Sequence, residues 1–113
     1  VAGDYLSLHG LSRLVSVLQR MAEQGAEPPR QWILLTRFQE RRRLAREVRA
    51  KLMQYFPGRI LATSVREAVA LSESPSFGKS IFEYRPKAPG AAEYRAVAAD
   101  LMAGRTLQES ACA

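Results

Sequence analysis

The chain has 113 residues, with 17 Lys and Arg against 11 Asp and Glu, so its formal net charge at pH 7 is +6. This length bounds it to one small domain. Its composition, 47% hydrophobic and 25% charged, excludes an intrinsically disordered chain, a collagen-like repeat and a disulfide scaffold. The sequence contains neither an apolar run of about 18 residues nor a basic, apolar leader at its start, so it predicts a cytoplasmic protein without a membrane segment. The single cysteine, Cys112, cannot form a disulfide within the chain.

The excess positive charge lies in one segment. Residues 37–59 contain eight Lys and Arg but two Asp and Glu, whereas the other 90 residues contain nine of each kind. Basic side chains on one face displace the counterions condensed on DNA, so this segment is a candidate for binding a phosphate backbone. A solvated helix face explains the same charge run equally well, and composition alone leaves both interpretations open.

The first predicted helix covers Gly10–Gly25, where apolar residues recur at spacings of three and four. Its inward residues are predicted to be Leu11, Leu14, Val15, Leu18, Met21 and Ala22. Pro28 and Pro29 prevent the helix from continuing. The short apolar run Gln31–Thr36 then predicts a strand that is covered on both faces, as strands of parallel sheets are.

The next two elements complete a strand, helix, strand unit. A helix is predicted from Leu44 to the Pro57–Gly58 pair, which ends it. Its inward residues are predicted to be Leu44, Val48, Leu52 and Tyr55, and a stripe on another face consists of Arg42, Arg46 and Arg49. Arg59–Thr63 predicts another short strand. The predicted fold class is therefore α/β, with a partial parallel sheet of two or three short strands and flanking helices.

The last third of the chain is predicted to contain two more helices. Ser64 and Glu67 have the spacing of a capping box, which predicts a short helix through Leu71. Residues 72–78 are predicted to form a loop and residues 81–84 a brief extended segment. A final helix is predicted over about Gly90–Met102, and a disordered tail over residues 105–113. Residues 1–104 then form the folded part.

No catalytic site follows from the residue pattern. Gly78-Lys79-Ser80 matches the end of a P-loop, but such a loop requires a glycine where this chain has Glu73, a strand before it and a helix after it. His9 has no cysteine or second histidine at metal-ligand spacing, so no metal site is predicted. Solvation and helix capping explain the carboxylates without an acid–base pair.

Four segments resemble motifs of one family. Leu71–Tyr84 reads LSESPSFGKSIFEY and resembles the signature LSEAPSHGKPI..Y.P. Gly90–Tyr94 resembles the start of the helix GAEAYRALA, Asp4–Leu11 is similar to EYYALEGL, and Ile33–Thr36 is similar to the strand GVLLT. The motifs have the order and spacing found in ParA/Soj-type chromosome-partitioning ATPases of the deviant Walker (MinD/ParA) superfamily, and they extend to about Leu101.

The resemblance implies that the chain is the C-terminal half of a doubly wound P-loop NTPase fold, without the half that carries the P-loop. A complete member of the family binds ATP and Mg, dimerises, binds DNA nonspecifically and responds to a ParB-type partner in chromosome or plasmid partitioning. This chain alone is expected to use no cofactor and to hydrolyse no ATP. Its expected location is the cytoplasm, in association with the nucleoid. An open sheet edge beside the first strand is expected to make copies self-associate.

The resemblance also implies candidate site residues. A family arginine implicated in DNA binding matches Arg41, whereas a second one falls on Ala70. With its neighbours, the predicted nucleic-acid-binding set is Arg41, Arg42, Arg43, Arg46 and Arg49. The family segment IPRNVR, which lies near the nucleotide base, matches residues 65–70. Its predicted base neighbourhood here is Val65, Arg66 and Glu67, although the family's proline and both of its arginines are replaced.

Two other interpretations stay open. One is a fragment of a MinD-like positioning ATPase that acts at a membrane, although residues 106–113 lack the basic amphipathic helix on which such proteins rely. The other is a non-catalytic assembly module, motivated by the missing P-loop. A glycine-rich loop with a lysine upstream in the reading frame would contradict the assembly module.

Overall fold

The computed structural model describes residues 1–107, and helices account for most of their regular structure. The α-helices are α1 (Tyr5–Glu23), α2 (Arg43–Tyr55), α3 (Val69–Glu73), α4 (Ile81–Tyr84) and α5 (Pro89–Ala103), and a 3₁₀ helix covers Ser74–Phe77. None of the helices within these 107 residues is both long and apolar enough to cross a lipid bilayer.

Isolated backbone bridges connect four extended segments. The bridges Ala2 to Thr36, Ile33 to Ile60 and Phe38 to Arg66 are parallel, whereas Leu61 to Thr106 is antiparallel. The segment around Ile33 therefore lies between residues 1–2 and residues 60–66. Within residues 1–107 the pairing does not extend into continuous strands, so the predicted sheet of two or three strands is not confirmed.

The first predicted strand does not border an open edge. The Thr36 N–H donates to the Val1 carbonyl at 2.9 Å, so residues 1–2 pair along that side. On its other side, the Ile33 N–H donates to the Arg59 carbonyl and the Leu61 N–H donates to the Ile33 carbonyl, both at 2.9 Å. The segment predicted to be exposed at an edge is thus central in the arrangement.

Helix α2 packs one face on these segments. Val48 and Leu52 are fully buried, as predicted, but Leu44 and Tyr55 are 40% and 64% exposed. Ala45 replaces Leu44 in the interface because the backbone at Gly3 passes so close that a Cβ there would lie 2.8 Å from the Ala45 Cβ. A leucine side chain has no room at this contact, so the helix turns its small residue inward.

Helix α1 begins five residues before its predicted start. The Asp4 carboxylate accepts a hydrogen bond from the Ser7 N–H at 2.7 Å and caps the helix. Leu8 and Leu11 pack against the core. Leu14 and Met21, predicted to face inward, are 55% and 50% exposed. The predicted amphipathic segment does form a helix, but α1 uses only part of its apolar surface for contacts within residues 1–107.

The prediction for residues 64–84 is wrong in three places. No helix follows Ser64, because the Val65 N–H donates to the Leu35 carbonyl and residues 65 and 66 stay extended. The predicted loop contains the end of α3 and the 3₁₀ helix, and the predicted extended segment is α4. The capping box lies at Ser80 and Glu83 instead, where each side chain accepts from the other's backbone N–H.

The last helix agrees with its prediction within one residue at each end. Gly104 ends α5 with φ of +69°, a left-handed conformation that favours glycine. The Leu107 N–H then donates to the Ile60 carbonyl at 2.8 Å. The first residues of the predicted tail therefore pair with the core, and the rest of that tail, with Cys112, lies outside the described residues.

Candidate nucleic-acid interface

The predicted arginines lie around the start of α2, beyond the carboxyl end of the central extended segment. The buried side chain of Phe38, 2% exposed, anchors the approach to the helix. Arg37 precedes it with φ of +49°, a left-handed conformation that costs an arginine backbone about 1 kcal/mol or more. The chain thus enters α2 by a tight, anchored turn that carries charged side chains.

Two of the predicted arginines are engaged with Glu40, which lies just before the helix. Arg49 donates from both terminal nitrogens to the two carboxylate oxygens of Glu40, at 2.7 and 2.9 Å. Its guanidinium carbon lies 5.0 Å from the ring centroid of Phe38. Arg46 donates to the Glu40 carbonyl at 2.8 Å. The hydrogen bonds from Arg49 hold the pKa of the Glu40 carboxyl below its ordinary value.

Arg43 is also balanced by a carboxylate. Its Nε lies 3.0 Å from a carboxylate oxygen of Glu47, one turn further along α2. The Arg43 side chain is 87% exposed, so solvent and salt weaken this ion pair. Its positive charge is nevertheless partly compensated within α2.

Arg41 and Arg42 differ from the rest of the predicted set. Both are exposed, and neither side chain forms an ion pair or hydrogen bond within residues 1–107. The guanidinium group of Arg46 donates to the Glu40 carbonyl, while the nearby Glu40 carboxylate is already bound by Arg49. Arg41, Arg42 and Arg46 therefore supply the uncompensated positive charge of this surface, which we call the α2-start surface.

The predicted base neighbourhood contributes one residue to the same place. A cavity of about 120 Å³ opens beside the α2-start surface, and its lining residues include Gly3, Asp4, Arg37, Gln39, Arg42 and Glu67. The Glu67 carboxylate accepts a hydrogen bond from the Gln39 side chain and lies 3.7 Å from an Arg37 nitrogen. Glu67 thus places a negative charge where the family pattern has an arginine.

The other two residues of that neighbourhood are used elsewhere. Val65 is 1% exposed and packs inward. Arg66 forms an ion pair with Glu93 of α5 at 2.9 Å. Their side chains therefore serve the protein's own packing and ion pairing.

The cavity also contains residues that the sequence analysis missed. Asp4 and Gln39 were not assigned to any site, and Arg37 was predicted only as part of the basic segment 37–59. Arg37 and Gln39 follow directly after a predicted strand, at the end where α/β proteins bind ligands, and that position was the signal that could have identified them. No cluster of three or more potential metal-ligating side chains occurs in residues 1–107.

These features describe a parallel, helix-connected arrangement with a surface that suits anions. Within residues 1–107, three of the four bridges between extended segments are parallel, α2 connects two of these segments, and a cationic surface lies beyond the carboxyl end of the central one. In α/β proteins this is the usual place for a ligand. Guanidinium groups without a protein carboxylate suit phosphate oxygens, to which they donate paired hydrogen bonds.

Comparison with known proteins specifies the family. No protein-family model matches the chain. It is 35% identical over 105 residues to "Chromosome-partitioning ATPase Soj" of Thermus thermophilus, which is 91% of this chain and 42% of that protein. It is 37% identical over 101 residues to "Chromosome partitioning protein ParA" of Myxococcus xanthus, 88% of this chain and 35% of that protein. A third relative, "Sporulation initiation inhibitor protein Soj" of Bacillus subtilis, is 31% identical over 101 residues, 88% of this chain and 40% of that protein.

The chain is homologous to part of the Soj/ParA chromosome-partitioning ATPases, which confirms the family predicted from its motifs. It spans about two fifths of the length of these relatives.

Proposed function

We propose that the chain is part of a ParA-type partitioning ATPase and that its own residues contribute nonspecific binding to the DNA backbone. One observation carries the second part: Arg41 and Arg42 are exposed and have no carboxylate partner within residues 1–107. Such cations bind phosphates irrespective of base sequence and release condensed counterions.

The five predicted arginines have different roles in this proposal. Arg41, Arg42 and Arg46 contact phosphates. Arg49 binds the Glu40 carboxylate and thereby holds the residues before the helix in place. The charge of Arg43 is partly compensated by Glu47. The interface is thus smaller than the full charge run.

ATP chemistry belongs to the complete protein in this proposal. The 113 residues contain no G-x-x-x-x-G-K-[ST] motif, and we infer that the chain alone does not hydrolyse ATP. By resemblance to its family, the complete protein is proposed to adopt the P-loop NTPase fold, to bind ATP with Mg, to associate with the nucleoid and to respond to a ParB-type partner.

Self-association is also part of the proposal, but its support differs from the sequence-based argument. Residues 1–2 pair along the side that was expected to be open. The support comes instead from α1, where Leu6, Leu14 and Met21 are 81%, 55% and 50% exposed. Sedimentation of wild-type and Leu14→Glu chains tests it: a wild-type monomer at all concentrations contradicts the proposal.

The DNA proposal is tested by the salt dependence of binding. The triple variant Arg41→Gln, Arg42→Gln, Arg46→Gln is compared with Arg13→Gln, Arg20→Gln, Lys87→Gln, which removes the same charge from other exposed positions. The first variant is expected to reduce the slope of log K against log salt by about 2 to 3 units. The control is expected to change it by less than one unit. Equal slopes for the two variants, or no DNA binding by the wild type at low salt, would contradict the proposal.

A further inference from the structure

A second basic pocket lies near the opposite end of α2 from the α2-start surface. It has a volume of about 290 Å³ and is lined by Pro28, Pro29, Arg30, Gln31, Trp32, Gly58 and Arg59. Trp32 precedes the central extended segment, and Arg59 precedes the segment that pairs with it. A helix of the length of α2 separates the two places by about 20 Å, so they are distinct surfaces. We call this site the Trp32 pocket.

An aromatic ring and a guanidinium group form one wall of the Trp32 pocket. The Arg30 guanidinium carbon lies 5.0 Å from the centroid of the Trp32 ring. Trp32 is half-buried, and a Cβ at Gly104 would lie 4.0 Å from its Cη2 atom. The stacking contact places the guanidinium group beside the indole. A guanidinium group on a ring face keeps its N–H donors at its edge, where they can bind an anion.

The two arginines of the Trp32 pocket are free of ion pairs within the described residues. Arg30 and Arg59 are both exposed, and neither forms an ion pair within residues 1–107. Gln31 adds an amide that can donate and accept hydrogen bonds. The pocket therefore combines two cations, an aromatic surface and a neutral polar group, and its volume is close to the lower limit of small-molecule sites, about 300 Å³.

We propose that the Trp32 pocket binds an unpaired nucleotide of a single nucleic-acid strand. Its phosphate lies between Arg30 and Arg59, and its base lies against the stacked Arg30 and Trp32. Unpaired bases stack on both aromatic rings and guanidinium planes, and cationic grooves with aromatic side chains bind single strands in this way. In a duplex the bases are stacked on one another, so a concave pocket with an aromatic wall reaches none of them. An acidic peptide would use the two charges but has no planar base to extend the stack of Arg30 on Trp32.

The single tryptophan of the chain makes the proposal directly measurable. Fluorescence of Trp32 is recorded while a short oligothymidylate is added to the full chain. A saturable decrease is expected, with weaker binding of thymidine monophosphate, which has the same chemistry without neighbouring nucleotides. Arg59→Gln is expected to weaken oligothymidylate binding about tenfold, the usual effect of losing one charged hydrogen bond. The matched control Arg13→Gln is expected to bind as the wild type does.

Further outcomes separate this proposal from its alternatives. The triple variant of the α2-start surface is expected to keep the response of Trp32, because that surface lies near the other end of α2. Arg30→Lys is expected to bind less tightly than the wild type, because lysine keeps the charge but loses the planar stack. An unchanged affinity in Arg59→Gln, equal competition by a DNA duplex of the same length, or stronger quenching by polyglutamate would each overturn the proposal.

Discussion

The residues just before α2 and the helix itself contain the same kind of side chain in different electrostatic settings. Arg41 and Arg42 have no partner side chain within residues 1–107, whereas Arg43 and Arg49 each bind a carboxylate. Formal charge therefore overstates the charge that a ligand meets. A basic segment is better judged by its unpaired guanidinium groups than by its count of arginines.

The largest expected effect comes from removing a buried contact that holds α2 on the extended segments. Leu52→Ala deletes a fully buried side chain between α2 and the extended segments, and it should lower the free energy of unfolding by about 2 to 5 kcal/mol. Chemical denaturation measures this change. Leu44→Ala is the control within the same helix, because Leu44 is 40% exposed, and an equally large loss there would contradict the observed orientation of α2.

A smaller effect distinguishes the structural arginine from the ligand-binding ones. Arg49→Gln removes the bonds to Glu40 and the contact with the Phe38 ring, and it should destabilise the chain by about 1 kcal/mol. Arg42→Gln should leave the stability within about 0.5 kcal/mol of the wild type. Thermal or urea unfolding of the two variants measures the difference. Similar losses of stability in both would contradict the assignment of a structural role to Arg49 alone.

The same distinction appears in DNA binding by single variants. Arg42→Gln should lower the salt slope by about one unit, because one phosphate contact is lost. Arg43→Gln should lower it by less, since Glu47 already compensates part of that charge. Titrations at several salt concentrations compare the two, and a larger effect for Arg43 would mean that its ion pair opens when DNA binds.

The smallest effect is a pH dependence that comes from Glu40. Its pKa is lower in the folded chain than the ordinary value of 4.5 because Arg49 binds its ionised form. This stabilisation is therefore fully present above pH 4.5 and is lost as the pH falls through the folded pKa. Glu40→Gln should cost about 0.5 kcal/mol at pH 7 and nothing at a pH below the folded pKa. Urea unfolding at both pH values measures it, and a difference that persists in acid would assign the effect to packing.

The sequence predicted the long elements because their periods repeat over several turns. Helix α2 and helix α5 lie where apolar spacing places them. The start of α1 was missed, although Asp4 carries a standard capping side chain. The family was also predictable, since the motif over Leu71–Tyr84 is long and specific.

The short elements and the charge balance were not predictable in the same way. Two segments have the Ser-x-x-Glu spacing, and the first does not form a helix because Val65 pairs with Leu35, far away in the sequence. Likewise, Glu40 and Arg49 are nine positions apart and meet because the chain turns before the helix. Tertiary contacts decided both outcomes, and local spacing contains no information about them.

The left-handed backbone of Arg37 has a consequence for evolution and engineering. A glycine would adopt φ of +49° without strain, so a search for thermostable variants would select replacement of this arginine early. The chain nevertheless has the long cationic side chain at the mouth of the cavity, where its nitrogen faces Glu67. Backbone strain thus favours glycine at position 37, whereas the charged surface contains an arginine there. A stabilised Arg37→Gly variant would show which property of the protein the arginine preserves.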